Sequence, residues 1–154
     1  MLAEQEIHDI KDEIHHYPHR SAACIEALKI VQKNHRWVSD EHVKDIAELL
    51  EMSASEVDSI ATFYNRIHRK PVGEHVILLC ESVTCWVMGY ETIMEYLSEK
   101  LEIKYGETTK DGKFTMLPNP CLGNCDKAPC MIIDDKTYDL LTPEKVDEIL
   151  KTIN

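Results

Sequence analysis

The chain has 154 residues, of which 44% are hydrophobic and 29% are charged, and its formal net charge is −11. These values are typical of a globular protein with one ordinary domain or two small ones. The acidity argues against a nucleic-acid-binding surface, and the longest apolar run, residues 76–80, is far too short to span a bilayer. No secretory signal is recognisable, which predicts a reducing, cytosol-like compartment where the six cysteines are ligands or free thiols rather than disulfides.

Residues 1–72 are predicted to form a small helical bundle. All five glycines lie at or after residue 73, and a long stretch without glycine and with few prolines indicates helices with short connections. Four segments there repeat apolar residues at helical spacing, and Pro18 ends the first. Ser39 is the predicted N-cap of the third segment, and the pair Ser53 and Glu56 forms a capping box at the start of the fourth.

Residues 73–154 have a different pattern and are predicted to form a second domain. Apolar runs indicate strands over residues 76–80 and 114–117, the second stopped by Pro118, and a hairpin over residues 131–141. Helical spacing covers residues 90–101, and Thr142 caps a last helix. The order β-α-β-β-β-α predicts a small sheet with helices packed on it, of thioredoxin-like type. The fold class is therefore α+β in two parts.

Two pairs of cysteines lie in turn-like sequence next to predicted strands. Cys80 and Cys85 are spaced C-x4-C, and Cys121 and Cys125 are spaced C-x3-C. Four thiolates delivered by two loops indicate a metal site, and thiolate is the ligand that iron–sulfur clusters use. Gly123 would let the backbone turn closely around the sulfurs, and Cys85 is expected just before a helix start, where free N–H groups favour an anion.

Three other interpretations of these cysteines compete with an iron–sulfur site. Structural zinc accepts similar spacings, so the preference for iron–sulfur over zinc is weak. A redox-active C-x-x-C pair is absent from the sequence, and scattered core thiols are less consistent with the paired spacing. A zinc-stabilised interaction module is therefore the alternative from a different functional class.

Two further cysteines are assigned packing roles. Cys24 falls on the apolar face of its helix. Cys130 repeats the C-x4-C spacing after Cys125, but it directly precedes an apolar strand, which favours burial over ligation.

Trp86 is expected to shield the site. With no nucleotide-binding or nucleophile motif in the sequence, we predict no catalytic residues and interpret the chain as an electron relay that needs partners.

The cysteine motifs also carry a family resemblance. Cys80-x4-Cys85, the sequence CLGNCDK over residues 121–127, and the segments EALKIVQ and ATFY over residues 26–32 and 61–64 resemble the E subunit of respiratory NADH:quinone oxidoreductase, or complex I. The resemblance covers essentially the whole chain. It implies a thioredoxin-like ferredoxin domain with one 2Fe–2S cluster, whose iron is held by Cys80, Cys85, Cys121 and Cys125.

The same resemblance implies a partner and a location. The chain would dock on the NADH- and FMN-binding flavoprotein, the F subunit of complex I, exchange electrons with its FMN, and work as one part of an oxidoreductase without a substrate site of its own. It would be cytoplasmic and peripheral to the cell membrane as part of complex I, with no membrane insertion and no nucleic acid bound. An equivalent diaphorase subunit of an NAD-linked hydrogenase or formate dehydrogenase is the alternative.

Overall fold

The computed structural model describes residues 1–153. The chain divides into two compact units, the first Met1–Pro71 and the second from Val72 onward. Each unit has its own cluster of buried apolar side chains. Along the described residues, no helix combines the length and the apolar character that crossing a membrane requires.

The first unit is entirely helical. It consists of α1 (Glu4–Ile14), a 3-10 turn (Arg20–Ala23), α2 (Cys24–His35), α3 (Asp40–Leu50) and α4 (Ala54–Phe63). The predicted caps are confirmed, because the Ser39 and Ser53 hydroxyls accept hydrogen bonds from the backbone N–H groups of His42 and Glu56. Each helix turns one apolar stripe toward a shared core.

Cys24 belongs to that core, as predicted from its place on the helix. Its side chain is buried, and burial raises the pKa of its thiol to about 11. A thiol in this state is protonated at neutral pH and behaves as a small apolar group. Cys24 is therefore a packing residue, and its substitution is a suitable control for substitutions of the other five cysteines.

The second unit is a mixed four-stranded sheet with helices. Its elements are β1 (His75–Cys80), α5 (Val83–Val87), α6 (Tyr90–Leu101), β2 (Phe114–Asn119), a 3-10 turn (Cys125–Lys127), β3 (Met131–Ile133), β4 (Lys136–Tyr138) and α7 (Pro143–Thr152). The strand order is β2-β1-β3-β4, with β1 parallel to β2 and antiparallel to β3. The strands and helices enclose one apolar core, to which β1 contributes Ile77 and Leu79.

Two local predictions were wrong. Strand β2 does not stop at Pro118 but continues to Asn119, with Pro118 opposite Leu79. Because β2 lies at the edge of the sheet, one side of this strand needs no ladder hydrogen bonds, and proline is tolerated there. The segment between β1 and α6, predicted as a loop, contains the five-residue helix α5, which is too short to give a clear periodic pattern.

Candidate metal centre

The two predicted cysteine pairs follow the two parallel strands of the second unit. Cys80 is the last residue of β1 and pairs with Asn119, the last residue of β2. Cys121 comes two residues later. Because the carboxyl ends of parallel strands meet at one edge of a sheet, the sheet brings both cysteine segments to the same end of the unit.

The first pair is buried. Cys80 is 1% exposed and Cys85 is completely buried. Cys85 is the third residue of helix α5, so the expectation that it precedes a helix start was wrong. Burial alone would raise the pKa of Cys80, but hydrogen bonds from the hydroxyl and backbone N–H of Ser82, together with one from the Leu122 backbone N–H, outweigh it and lower that pKa.

The second pair is exposed, and its two sulfur atoms lie 4.0 Å apart. The Gly123 backbone N–H donates to the Cys121 sulfur at 3.3 Å, and Gly123 adopts φ of 74°, in the left-handed region that favours glycine. This confirms the predicted role of Gly123 in the turn. The neighbouring Cys121 sulfur raises the pKa of Cys125, first through a hydrogen bond that favours the protonated thiol and then through repulsion between the two thiolates.

The two segments contact each other through polar groups. The Leu122 backbone N–H, from the second segment, reaches the Cys80 sulfur. In the opposite direction, the hydroxyl of Thr84, from helix α5, hydrogen-bonds to the Cys125 sulfur, and the charge of Cys80 acts on Cys125. The structure therefore brings the two predicted cysteine pairs into one site.

Cys130 lies at the same site. Its side chain is completely buried, as predicted, but its sulfur is also 3.9 Å from the sulfur of Cys85. The sulfur atoms of Cys80, Cys85 and Cys130 all lie within 4.8 Å of one another. Sequence reasoning did not place Cys130 beside the other thiols, although the C-x4-C spacing from Cys125 was a signal in that direction.

Trp86, which was expected to shield the site, lies largely at the surface. The side chain is 57% exposed, and its indole Nε1–H donates to Glu91 at 3.2 Å. Val83, Val87 and Met88 are also more than half exposed, so α5 and the residue after it present four large apolar side chains to the surface. This group of four is called the α5 patch below.

The donor set fits a thiolate-bound metal group. Two sulfurs bonded at about 2.3 Å to one tetrahedral metal lie about 3.8 Å apart, close to the separation of the Cys121 and Cys125 sulfurs. Backbone N–H groups of Leu122 and Gly123 point at two of the sulfurs and offset negative charge. A zinc ion and an iron–sulfur cluster both fit these sulfur and N–H groups, so the family to which the chain belongs decides between them.

The sequence model of the thioredoxin-like 2Fe–2S ferredoxin family matches residues 10–154. The chain belongs to this family. The E subunit of NADH-quinone oxidoreductase from Escherichia coli is 52% identical to this ferredoxin over 150 residues, which cover 97% of the chain and 90% of the relative. The corresponding Pseudomonas aeruginosa protein is 47% identical over 151 residues, covering 98% and 91%.

Among solved structures, an NAD+-reducing NiFe hydrogenase in the air-oxidised state superposes with a TM-score of 0.65. It is 19% identical and covers 73% of this chain and 20% of the hydrogenase chain, so the likeness concerns the fold alone. Together with the family match, it confirms the predicted fold class of the ferredoxin.

Family membership decides the cofactor. A thioredoxin-like 2Fe–2S ferredoxin carries one 2Fe–2S cluster, so the resemblance and the cofactor predicted from the sequence are confirmed, and the zinc alternative loses its support. The family match covers a region with five thiols near one another and does not assign ligands among them. The set Cys80, Cys85, Cys121 and Cys125 stays a prediction.

Proposed function

We propose that the chain is the electron-transferring E subunit of NADH:quinone oxidoreductase, and that Cys80, Cys85, Cys121 and Cys125 hold its 2Fe–2S cluster. The observation that carries the proposal is the meeting of the two cysteine pairs at the carboxyl ends of β1 and β2. The 52% identity to the Escherichia coli protein over nearly the whole chain supports the same assignment.

The protein's own groups are suited to holding an anionic cluster. When bound, a 2Fe–2S cluster accepts or releases one electron at a time. The Leu122 N–H reaches Cys80 and the Gly123 N–H donates to Cys121, so fixed dipoles offset negative charge on one sulfur of each pair. Burial of Cys80 and Cys85 excludes water from one side, whereas exposure of Cys121 and Cys125 makes the other side accessible to a partner.

We further propose that the partner is the NADH- and FMN-binding flavoprotein, the F subunit of the complex. NADH and FMN bind to that partner, and this chain exchanges electrons with its flavin. The α5 patch supports a docking surface beside the cysteines, because exposed groups of large apolar side chains mark interaction sites. As part of the complex, the chain lies at the cytoplasmic face of the membrane without entering it.

The domain boundary belongs to the same proposal. Residues 1–72 are a helical domain and residues 73–154 are the ferredoxin domain that holds the cluster. The two separate apolar clusters support this division, because each unit buries its own core.

Metal analysis tests the cofactor directly. Protein purified without oxygen should contain about two irons and two acid-labile sulfides per chain, and reduction should produce an EPR signal from an odd-electron cluster. A colourless protein with stoichiometric zinc contradicts the proposal. Co-purification with hydrogenase or formate dehydrogenase subunits, instead of with the flavoprotein of complex I, assigns the chain to the alternative diaphorase.

The docking surface is tested with matched charge changes. Val87→Asp adds one negative charge to the α5 patch, at a side chain that is 69% exposed, and should weaken binding to the flavoprotein by at least tenfold. Lys110→Ala makes the same change in net charge near the start of β2, at the opposite end of the sheet from Cys80, and should bind normally. Equal binding by the two variants contradicts docking at the α5 patch.

A further inference from the structure

A fifth thiol lies against the proposed ligands. The sulfur of Cys130 is 3.9 Å from that of Cys85, and with Cys80 it completes a group of three sulfurs within 4.8 Å of one another. Two thiolates on one tetrahedral metal lie about 3.8 Å apart. The separation between Cys85 and Cys130 therefore matches that between Cys121 and Cys125, which is 4.0 Å.

The sheet fixes the position of Cys130. Its carbonyl oxygen accepts a hydrogen bond from the Cys80 backbone N–H at 3.1 Å, and the next residue, Met131, pairs with Leu79 in the antiparallel ladder of β1 and β3. Because Cys130 is hydrogen-bonded to the last residue of β1 and directly precedes β3, its buried thiol stays beside Cys80. Cys85 depends instead on the five-residue helix α5.

Cys80 also links the two cysteine pairs. The Leu122 backbone N–H of the second segment points at its sulfur, and Cys80 acts electrostatically on Cys125. Cys85 and Cys130 are neighbours of Cys80 and of each other. An iron bound to Cys80 is thus near both the Cys85 and the Cys130 thiols. It needs only one of them as its second cysteine ligand.

We infer that Cys130 is a substitute ligand that takes the place of Cys85 at the iron bound by Cys80. In the exchange, the iron–sulfur bond to Cys85 breaks and a bond to Cys130 forms. The Cys130 thiol gives up its proton and the released Cys85 sulfur takes one, so the charge of the site is unchanged and no oxidant or reductant is consumed. This inference rests on the proposed ligand set.

The test compares Cys85→Ser with the double variant C85S/C130A, both purified without oxygen. The single variant should retain about two irons and two sulfides per chain, with an altered visible and EPR spectrum, because four thiolates remain available. The double variant should lose most of its iron. Cys121→Ser and C121S/C130A form the control pair and should be equally depleted, because Cys130 lies with the other cysteine pair. Equal iron contents in Cys85→Ser and C85S/C130A overturn the inference.

A second measurement does not depend on folding of Cys85→Ser. Iron loss to a chelator should be several-fold faster in Cys130→Ala than in the native chain, because a released iron can no longer be recaptured, whereas Cys24→Ala should match the native rate. Equal rates for the native chain and Cys130→Ala overturn the inference. If the native chain itself lacks iron, the proposed function fails; if it holds a full cluster and the paired variants behave alike, only the substitute ligand fails.

Discussion

The sulfur atoms of Cys121 and Cys125 lie 4.0 Å apart in an exposed segment, close to the separation that two ligands of one tetrahedral metal require. No strand or long helix holds this pair, since Cys125 begins a 3-10 turn of three residues. The spacing is set by the local turn. The neighbouring backbone is therefore as important for binding as the thiols.

Cys121→Ser should remove most of the cluster, because the exposed segment then offers a single thiolate to its iron. Iron and sulfide analysis should give well under the value of about two per chain expected for the native protein. Cys24→Ser is the matched control, since Cys24 is buried in the other unit and should leave the iron content unchanged. Full iron content in Cys121→Ser contradicts the proposed ligand set.

Gly123→Ala should speed up loss of iron to a chelator. At φ of 74°, a side chain strains the backbone by about 1–2 kcal/mol, and relaxation of that strain moves the N–H that donates to Cys121. Gly106→Ala introduces similar strain at φ of 82°, in a turn where the N–H bonds to the Met116 carbonyl oxygen. Both variants should lose stability, but only Gly123→Ala should lose iron faster. Equal rates of iron loss mean that the turn does not support the site.

The buried carboxylate of Glu6 makes the first unit sensitive to acid. Burial acts to raise the pKa of Glu6, but hydrogen bonds from the Ala3 backbone N–H, Asn34 and His35, at 2.8–3.0 Å, outweigh it and lower that pKa. Because the folded-state pKa is below the unfolded value, the ionised group stabilises the fold above that value, and this contribution is lost as the pH falls through the folded-state pKa.

Glu6→Gln should lower the free energy of unfolding at pH 7 by about 1–3 kcal/mol, since the neutral amide replaces an acceptor that three donors use. The difference from the native chain should shrink as the pH falls below about 4.5, where the unfolded carboxylate is protonated. Urea unfolding followed by Trp37 fluorescence in a Trp86→Phe background measures this. Glu4→Gln, at an exposed position of the same helix, should change stability little at either pH. A parallel response of the two variants contradicts the prediction.

Tyr105 connects the segment that follows α6 to Tyr90, the first residue of that helix. Its hydroxyl lies 2.8 Å from the hydroxyl of Tyr90, and burial raises the pKa of both phenols, so both are neutral at pH 7. Tyr105→Phe should lower the free energy of unfolding by about 1 kcal/mol, because the hydrogen bond between the two hydroxyls is lost. Tyr138→Phe, on the edge strand β4, should cost less. Thermal unfolding of the two variants checks the order, and the reverse order counts against a stabilising pair.

Features set by neighbouring residues could be predicted from the sequence. The caps at Ser39, Ser53 and Thr142 are all present, because a capping side chain bonds to an N–H three residues away. The strand at residues 76–80 and the helix at residues 90–101 were predicted from their apolar patterns and are confirmed. By contrast, the continuation of β2 through Pro118 depends on which strand lies at the edge, and no local pattern contains that information.

In the candidate site, too, some features could be predicted from the sequence and others depend on tertiary contacts. The sequence by itself determined the two cysteine pairs, the turn at Gly123 and the family, because spacing and residue type are properties of short segments. Only the tertiary structure decided that Cys85 lies inside a helix and that Cys130, 45 residues later, places its sulfur 3.9 Å away. Contacts between distant residues depend on how strands pair and pack, so they are fixed when the antiparallel β3 aligns beside β1 and brings Cys130 to the end of the strand where Cys80 lies.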